Sequence, residues 1–577
     1  MAKGGLNLKD LAEFLNPSFA LKNENFFVTN NRGLSKRGGI VKQLEIAGNK
    51  PVTLRKNWLD NDVIGYDKTV AIYNPTTGVT TSVKTNWNTN DSFSGCAYGD
   101  YFLVGNIGDK IHYISQTITY GTQTSNFTVG KTITGASSGA TAIILTDVDG
   151  GATGTITLGS VVGIFITGEL ITDDNAVVGS ATTTSGMTYA ITELTNAPKS
   201  GVIVAVGARL YAGVGYKTYY SGLDDGTNPP FLNWTVTEVA TDGGIVSFRN
   251  AGTVRSIASL GDTVISFGDT GKYAFRLNIQ NDGTGTVVKV EQIVIDRVDM
   301  GGASGAITTP KGLFYVNSAG LWQMMSMGQS NIAFSDQEQL TSVNLGTDYF
   351  KDVDLTNCDL VYYARYSTIL LTCAKASTQN NHVITYNHDM TAFSTFRNWN
   401  INRWMSRDND IYGASSIKTA LYHCFTGYAD DGVSISTNYL QELKMSGTNP
   451  WSRQMLCGGY IKGLLHSLSV VRVALSIYNV RGEVENNKVV FDWTLQSNEN
   501  KADGWGTAGW GTGSWGGDVD TSGLIESFDG FRQFIRNFQR IRINITESSK
   551  LPYQIDYVGL ESKNKGNIRR RKLSLQS

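Results

Sequence analysis

Two adjacent acid pairs, Asp224-Asp225 and Asp430-Asp431, are the first residues in this chain whose type and spacing suit catalysis. A glycoside hydrolase needs two carboxylates, one to protonate the leaving oxygen and one to attack the sugar or activate water. Both pairs stand beside glycine in turn-forming sequence, where acids commonly bond their own backbone, so turn chemistry accounts for them as well. The five histidines, His112, His382, His388, His423 and His466, form no HExxH, and His382 and His388 flank a strand sequence without metal-ligand spacing. Asp147, Asp149, Asp173 and Asp174 could meet a calcium ion, yet they lack the loop pattern that makes such a site specific. No GxSxG elbow, Walker A loop or GxGxxG between strand and helix occurs, and GWGTGSWGG has the glycines of a phosphate loop without its lysine. These residues point to no enzyme, no cofactor and no metal.

The most distinctive side chains are Trp505, Trp510 and Trp515, five residues apart in DGWGTAGWGTGSWGG. Five matches neither the two-residue period of a strand nor the 3.6 of a helix, so no regular element hides all three indoles on one face. Tryptophan anchors interfaces, and exposed apolar patches mark contacts. The segment reads as a loop docked on a neighbouring subunit or folded back over its own domain. Near the C-terminus, Arg569, Arg570, Arg571 and Lys572 form a basic run. It reads as a solvated tail or as a contact with nucleic acid or an acidic partner.

The elements that must position these residues are strands. The chain has 577 residues with 64 glycines, 9 prolines and 26 tyrosines, a composition of short strands and tight turns. Seven apolar hairpin signatures recur roughly 50 residues apart between about residues 64 and 430, the interval of four-stranded propeller blades. The predicted fold is all-β: a propeller of six or seven blades over 61–440, preceded by a segment 1–60 packed on it or on the C-terminal domain. Consecutive β-sandwiches would share this composition without the even spacing. The spacing fails over 120–195, where FTVGKTIT from Phe127 returns as FITGELIT from Phe165. That duplication predicts a small β domain inserted in a blade connection. After residue 440 the repeat stops, and 441–577 is predicted to be a C-terminal sandwich or barrel that carries the tryptophan loop and a short inserted segment near SFDGFRQFIRNF.

Charge nearly cancels, at −1 from 49 basic and 50 acidic residues, which excludes whole-surface affinity for nucleic acid or anionic membrane. No stretch is apolar enough for a secretory signal or a membrane helix, so synthesis in a cytoplasm without membrane insertion is expected. The five scattered cysteines lack CxxC spacing and are expected to be reduced thiols.

Four segments resemble one known family: NNRGLSKRGGI (Asn30 to Ile40), RLYAGVGYKTYYSGLDDGTNPPFLNW (Arg209 to Trp234), NSAGLWQM (Asn317 to Met324) and WGTGSWGG. The first is similar to a "GL.KRPG" element and the second to a blade strand with a "YS...P..W" turn. Both belong to the tail nozzle, or tail tubular protein B, of short-tailed bacteriophages and to the related packaged-DNA stabilisation proteins. The resemblance implies a virion protein made in the host cytoplasm, six copies forming the DNA exit tube below the portal-adaptor protein and retaining packaged DNA. Tail fibre or tip proteins would attach to it, and double-stranded DNA would pass through. The competing class is a secreted propeller glycoside hydrolase, which would act as a monomer with a pair of acids at its funnel mouth, or a glycan-binding lectin with an aromatic pocket on each blade. Replacing Trp505, Trp510 and Trp515 together by serine is expected to leave folded monomers that no longer form rings. Size-exclusion chromatography with light scattering reads this, and normal rings would remove the loop from the interface.

Overall fold

A tyrosine, valine and threonine-rich chain with glycine punctuation favours pairing strands to satisfy its backbone, and among the described residues the computed structural model is built almost wholly from strands, with four single-turn 3-10 segments. It describes residues 20–28, 33–89, 92–223, 229–237, 239, 241–281, 286–296, 302–324, 337–341, 345, 349–444, 454–466, 469–478, 489–493, 525–538, 540–564 and 571–573. Two compact units emerge: residues 47–313 with 324–336, and residues 1–46, 314–323 and 337–577.

The fold is an all-β propeller, and its blades are seven successive sets of four strands, four of them separate sheets and three of them parts of larger sheets. The first runs from Val52–Trp58 to Thr80–Lys84 and the second from Ser94–Tyr98 to Thr188–Glu193. The third spans Ile203–Val206 to Gly244–Ser247, the fourth Val254–Leu260 to Thr286–Asp296 and the fifth Gly302–Thr309 to Gln337–Gln339. Val353–Tyr363 to Ala392–Arg397 make the sixth, and Ile401–Arg407, Asp410–Ser415 and Ala420–Cys424 supply three strands of the seventh. All seven hairpin signatures in the sequence fall on these sheets. The first begins at Val52, so the expected boundary at residue 61 moves toward the N-terminus.

Apolar clusters lie between consecutive sheets, because a blade has two faces to cover. Leu54, Trp58 and Val63 of the first sheet meet Phe102, Val104 and Ile114 of the second. Tyr211 and Tyr220 of the third meet Ile257, Tyr273 and Phe275 of the fourth. In the other unit, Val361, Leu370 and Phe396 pack against Trp404, Ile411 and Tyr422.

The inserted duplication is a closed six-stranded barrel. Its strands are the outer half of His112–Ser125, then Gly154–Val162, Thr141–Asp149, Thr132–Gly135, Leu170–Asp173 and Ser180–Thr183, which pairs back onto the first. Closure removes every strand edge. Ile118, Tyr120, Phe127, Ile133, Ile144, Ile156, Phe165 and Ile171 fill the interior. The two copies obey a local dyad at the Thr134–Thr172 pair. The amide of Ala136 donates to the Leu170 carbonyl at 2.9 Å, and that of Asp174 donates to the Thr132 carbonyl at 3.0 Å, its symmetry equivalent. Gly130 and Gly168 both take φ near +85°, the left-handed turn that repeated glycine serves.

The C-terminal domain is a two-sheet sandwich, and its core holds Tyr439, Ile461, Val473, Leu475, Trp493, Ile541, Ile543, Ile545, Tyr553 and Ile555. The SFDGFRQFIRNF sequence, expected as an inserted segment, lies instead in the strand Ile525–Phe538, paired with Gln454–Leu465. Its charges obscured a strand that pairing with a long partner stabilises.

Within the second sheet, Thr117 and Thr188 stand opposite each other where the barrel begins and ends. Replacing residues 118–187 by Asn-Gly, a two-residue hairpin turn, is expected to leave the rest of the chain folded. Far-UV circular dichroism and thermal unfolding check it, and an insoluble product would make the barrel part of the blade.

Candidate functional site

The segment GLSKRGGI lies in a strap of strands that pair with the sixth and seventh blades and with the sandwich. Lys22–Glu24 pairs parallel with Ala392–Arg397 of the sixth blade and antiparallel with Thr437–Lys444 of the sandwich. Phe26–Val28 pairs with Leu34–Lys36, which pairs with the sandwich strand Tyr553–Asn564. Ile40–Glu45 then fills the fourth place of the seventh blade beside Ala420–Cys424. One stretch of about 25 residues therefore stitches two blades to the sandwich.

Lys36 and Arg37 lock this strap. Neighbours on an extended chain point to opposite sides, and each cation reaches a different domain. The Lys36 ammonium donates to Glu547 Oε2 at 2.5 Å and to the Ser549 carbonyl at 2.6 Å, both side chains of the ion pair being buried. Burial pushes the Lys36 ammonium below its ordinary range, against the pull of Glu547. The Arg37 guanidinium grips Asp430 through two bonds, Nη1 to Oδ1 at 2.8 Å and Nη2 to Oδ2 at 2.6 Å. Its Nε donates to Asn25 Oδ1 at 2.9 Å, and its plane lies 4.5 Å from the Trp399 ring centroid. The Trp399 indole N–H donates to the same Asp430 at 3.0 Å. Such a planar, bidentate and stacked site is specific to arginine. Next to it, a Cβ on Gly38 would lie 2.7 Å from the Phe425 backbone, and one on Gly39 would overlap the Ala429 carbonyl.

The candidate catalytic pair Asp430-Asp431 is thereby split. Asp430 faces inward to Arg37 and Trp399, while Asp431, at φ 48°, lies 3.7 Å from the exposed Lys42. Asp224 and Asp225 lie outside the described residues, as do Trp505, Trp510, Trp515, Arg569 and Arg570. Arg571 and Lys572 fall on the short strand Arg571–Leu573, paired with the sandwich strand, rather than on a free tail.

The acids weighed for calcium bond to the barrel itself. Tyr120 donates to Asp147 at 2.9 Å, and Asp149 caps the Gly151 amide at 2.7 Å. Asp173 accepts the amides of Thr128 and Gly179, and Asp174 accepts that of Thr132. Glu169, which sequence reasoning missed, accepts the amides of Ile166, Ser137 and Ser138 and the Ser138 hydroxyl. Burial pushes the Glu169 carboxyl up, but these four bonds outweigh it and hold the group below its ordinary 4.5.

The histidines are dispersed. His382 is buried against the Tyr349 hydroxyl at 2.8 Å, and burial, with Lys375 and Arg397, holds it down to about 3. His423 faces Asp410 at 3.2 Å, and His112 lies 2.7 Å from Lys84. Among the described residues no three His, Cys, Asp or Glu side chains gather as a metal site, and no helix is long and apolar enough to cross a membrane. No disulfide joins the five cysteines, and burial pushes Cys96 up to about 12.

No protein-family model matches the chain, and no curated protein does. Among solved structures it is similar to Hsv2 of Kluyveromyces lactis, at 11% identity over 60% of this chain and 97% of that one, with a TM-score of 0.25. It is also similar to the extracellular domain of the putative one component system BT4673 from B. thetaiotaomicron, at 11% identity over 75% of this chain and 44% of that one, TM-score 0.38. The phage phi92 endosialidase matches at 10% identity over 72% of this chain and 65% of that one, TM-score 0.27.

Arg37→Met strands a largely buried carboxylate and is expected to cost about 3–5 kcal/mol in chemical denaturation. Arg37→Met with Asp430→Asn should recover part of that, while Lys42→Ala, on the exposed Lys42–Glu45 pair, should change little. A depressed carboxylate contributes stability above its unfolded value and loses it as pH falls through the folded one. Below pH 4.5, thermal melts of the wild type should therefore lose the Glu169 contribution, and Glu169→Gln should flatten that part of the profile.

Proposed function

We propose that this chain is a structural subunit of a short-tailed phage virion, six copies forming the tail nozzle below the portal-adaptor protein. The observation that supports it best is the strap: Lys36 and Arg37, the two cations of the segment that resembles the family's GL.KRPG element, are the ones that tie blades to sandwich through Lys36–Glu547 and Arg37–Asp430. A subunit whose work is to hold shape while DNA passes needs the strap's strands anchored to partners, since an unpaired strand is a site for slippage and swapping.

In this reading the propeller is a stiff spacer, and the sandwich with the Trp505, Trp510 and Trp515 loop seals neighbouring copies. A cyclic arrangement closes without free edges. The net charge of −1 fits a conduit wall, because a basic lumen would bind phosphates and hold the genome back. Tail fibre or tip proteins would dock on the outside, and DNA would be retained by the closed tube rather than by affinity.

Negative-stain microscopy with light scattering of the purified chain is expected to find closed rings of six. At physiological salt those rings should not retain double-stranded DNA in a filter-binding assay. A monomer that cleaves glycans would overturn the proposal.

A further inference from the structure

Of the nineteen exposed large aliphatic side chains among the described residues, nine lie between Val129 and Val178, all in the inserted barrel. Six of them gather at its two ends. Asp173 draws the loop at Thr128 and the loop ending at Gly179 together, so Val129, Val177 and Val178 share one tip. Glu169 draws the Ile166 and Ser138 loops together, and Thr141 pairs with Val162, so Val162, Ile164 and Ile166 share the other. These six are 46–73% exposed. The strand Thr132–Gly135 runs from one tip to the other, which separates them by roughly 13 Å or more.

We propose that the tips are the two halves of a head-to-tail contact between barrels of adjacent copies of this chain, the Val129 tip of one meeting the Ile164 tip of the next. This rests on the ring reading above. Between residues 118 and 187 the only basic residue is Lys131, against the acids Asp147, Asp149, Glu169, Asp173 and Asp174. A surface with that balance repels nucleic acid and has no attraction for anionic lipid. Asp147, Glu169 and Asp173 spend hydrogen bonds within the barrel, and Asp149 and Asp174, though exposed, each accept a backbone amide, so the tips are mainly aliphatic and hydroxyl and fit a largely neutral protein surface of their own kind. Each tip offers roughly 200 Å² of apolar surface at most, far short of the ~800 Å² per partner of a stable free-standing complex. Only a partner already held alongside makes so small a contact effective, because tethering raises its local concentration. The next subunit of a ring is such a partner. The local dyad gives the two tips similar backbone shape, and their placement at opposite ends suits a contact that passes from copy to copy.

Charge substitution tests it. Val129→Lys with Val177→Lys at one tip, or Val162→Glu with Ile164→Glu at the other, should each raise the concentration at which rings dissociate by at least about tenfold. The four substitutions together should restore it to within about threefold of wild type, because lysines then meet glutamates across the contact. Circular dichroism and melting temperature verify folding, and Val129→Ser with Ile164→Ser supplies a milder variant that should give a smaller shift of the same sign. Rings as stable as wild type in both charged pairs overturn this inference and leave the ring reading standing. A wild-type monomer overturns both. Wild-type flotation with phosphatidylcholine vesicles that the charged pairs abolish, with rings unchanged, would assign the tips to lipid instead and overturn the contact.

Discussion

The strap at residues 20–45 is the constraint on which the second unit depends. A four-stranded blade with one strand missing exposes a row of unpaired amides and carbonyls, and a sandwich begun by strands from elsewhere in the chain has the same defect. Both gaps are filled from one short segment, and its position is fixed by two buried ion pairs facing opposite ways. Buried pairs are poor sources of net stability, because desolvation offsets attraction, but they punish misplacement severely. Shifting the strap by one residue would exchange the faces of Lys36 and Arg37 and leave Glu547 and Asp430 without counter-charges. Register, more than stability, is what this pair of contacts supplies. The adjoining Gly38 and Gly39 let the backbone run close enough to Phe425 and Ala429 for the guanidinium to reach its partner.

The barrel solves a similar problem by closure. Its two sequence copies are too small to bury a core separately, but around the Thr134–Thr172 dyad they complete one interior between them. Glu169 and Asp173 each tie a loop before a strand to a loop after another through backbone amides, which holds each end of the barrel together. Neither acid has a counterpart in the first copy, where Lys131 and Gly135 stand at the equivalent places. The tips could therefore diverge in side chains while keeping one backbone geometry.

What the sequence made legible was local. Hairpins with short turns declared themselves, because strand, turn and strand lie within about 25 residues, and all seven fell on blades. The duplication showed through repeated glycines at positions that need φ > 0. Pairings between distant segments left no such mark: Arg37 and Asp430 are 393 residues apart, and Lys36 and Glu547 are 511 apart. The segment 1–60 was accordingly expected to pack on the domains rather than to be woven into them. A visible signal did exist, in two consecutive cations wedged between an apolar strand and a glycine pair, where solvated charge is out of place. Asp430-Asp431 read as a possible acid pair because sequence adjacency says nothing of direction, and the two side chains part ways. The tryptophan loop lies outside the described residues, and its role rests on its spacing alone.

The weaving of the first strands into the last sheets also orders events during synthesis. Ile40–Glu45 must wait for Ala420–Cys424 to be translated, and Leu34–Lys36 for Tyr553–Asn564, before they find their partners. For most of translation the nascent chain must carry an unsatisfied strand while intervening blades fold one after another, and pairing of such high sequence separation is slow. The seventh blade can close once Ala420–Cys424 has been made, whereas Leu34–Lys36 waits for Tyr553–Asn564, so a chain interrupted between the two would keep an open, adhesive edge.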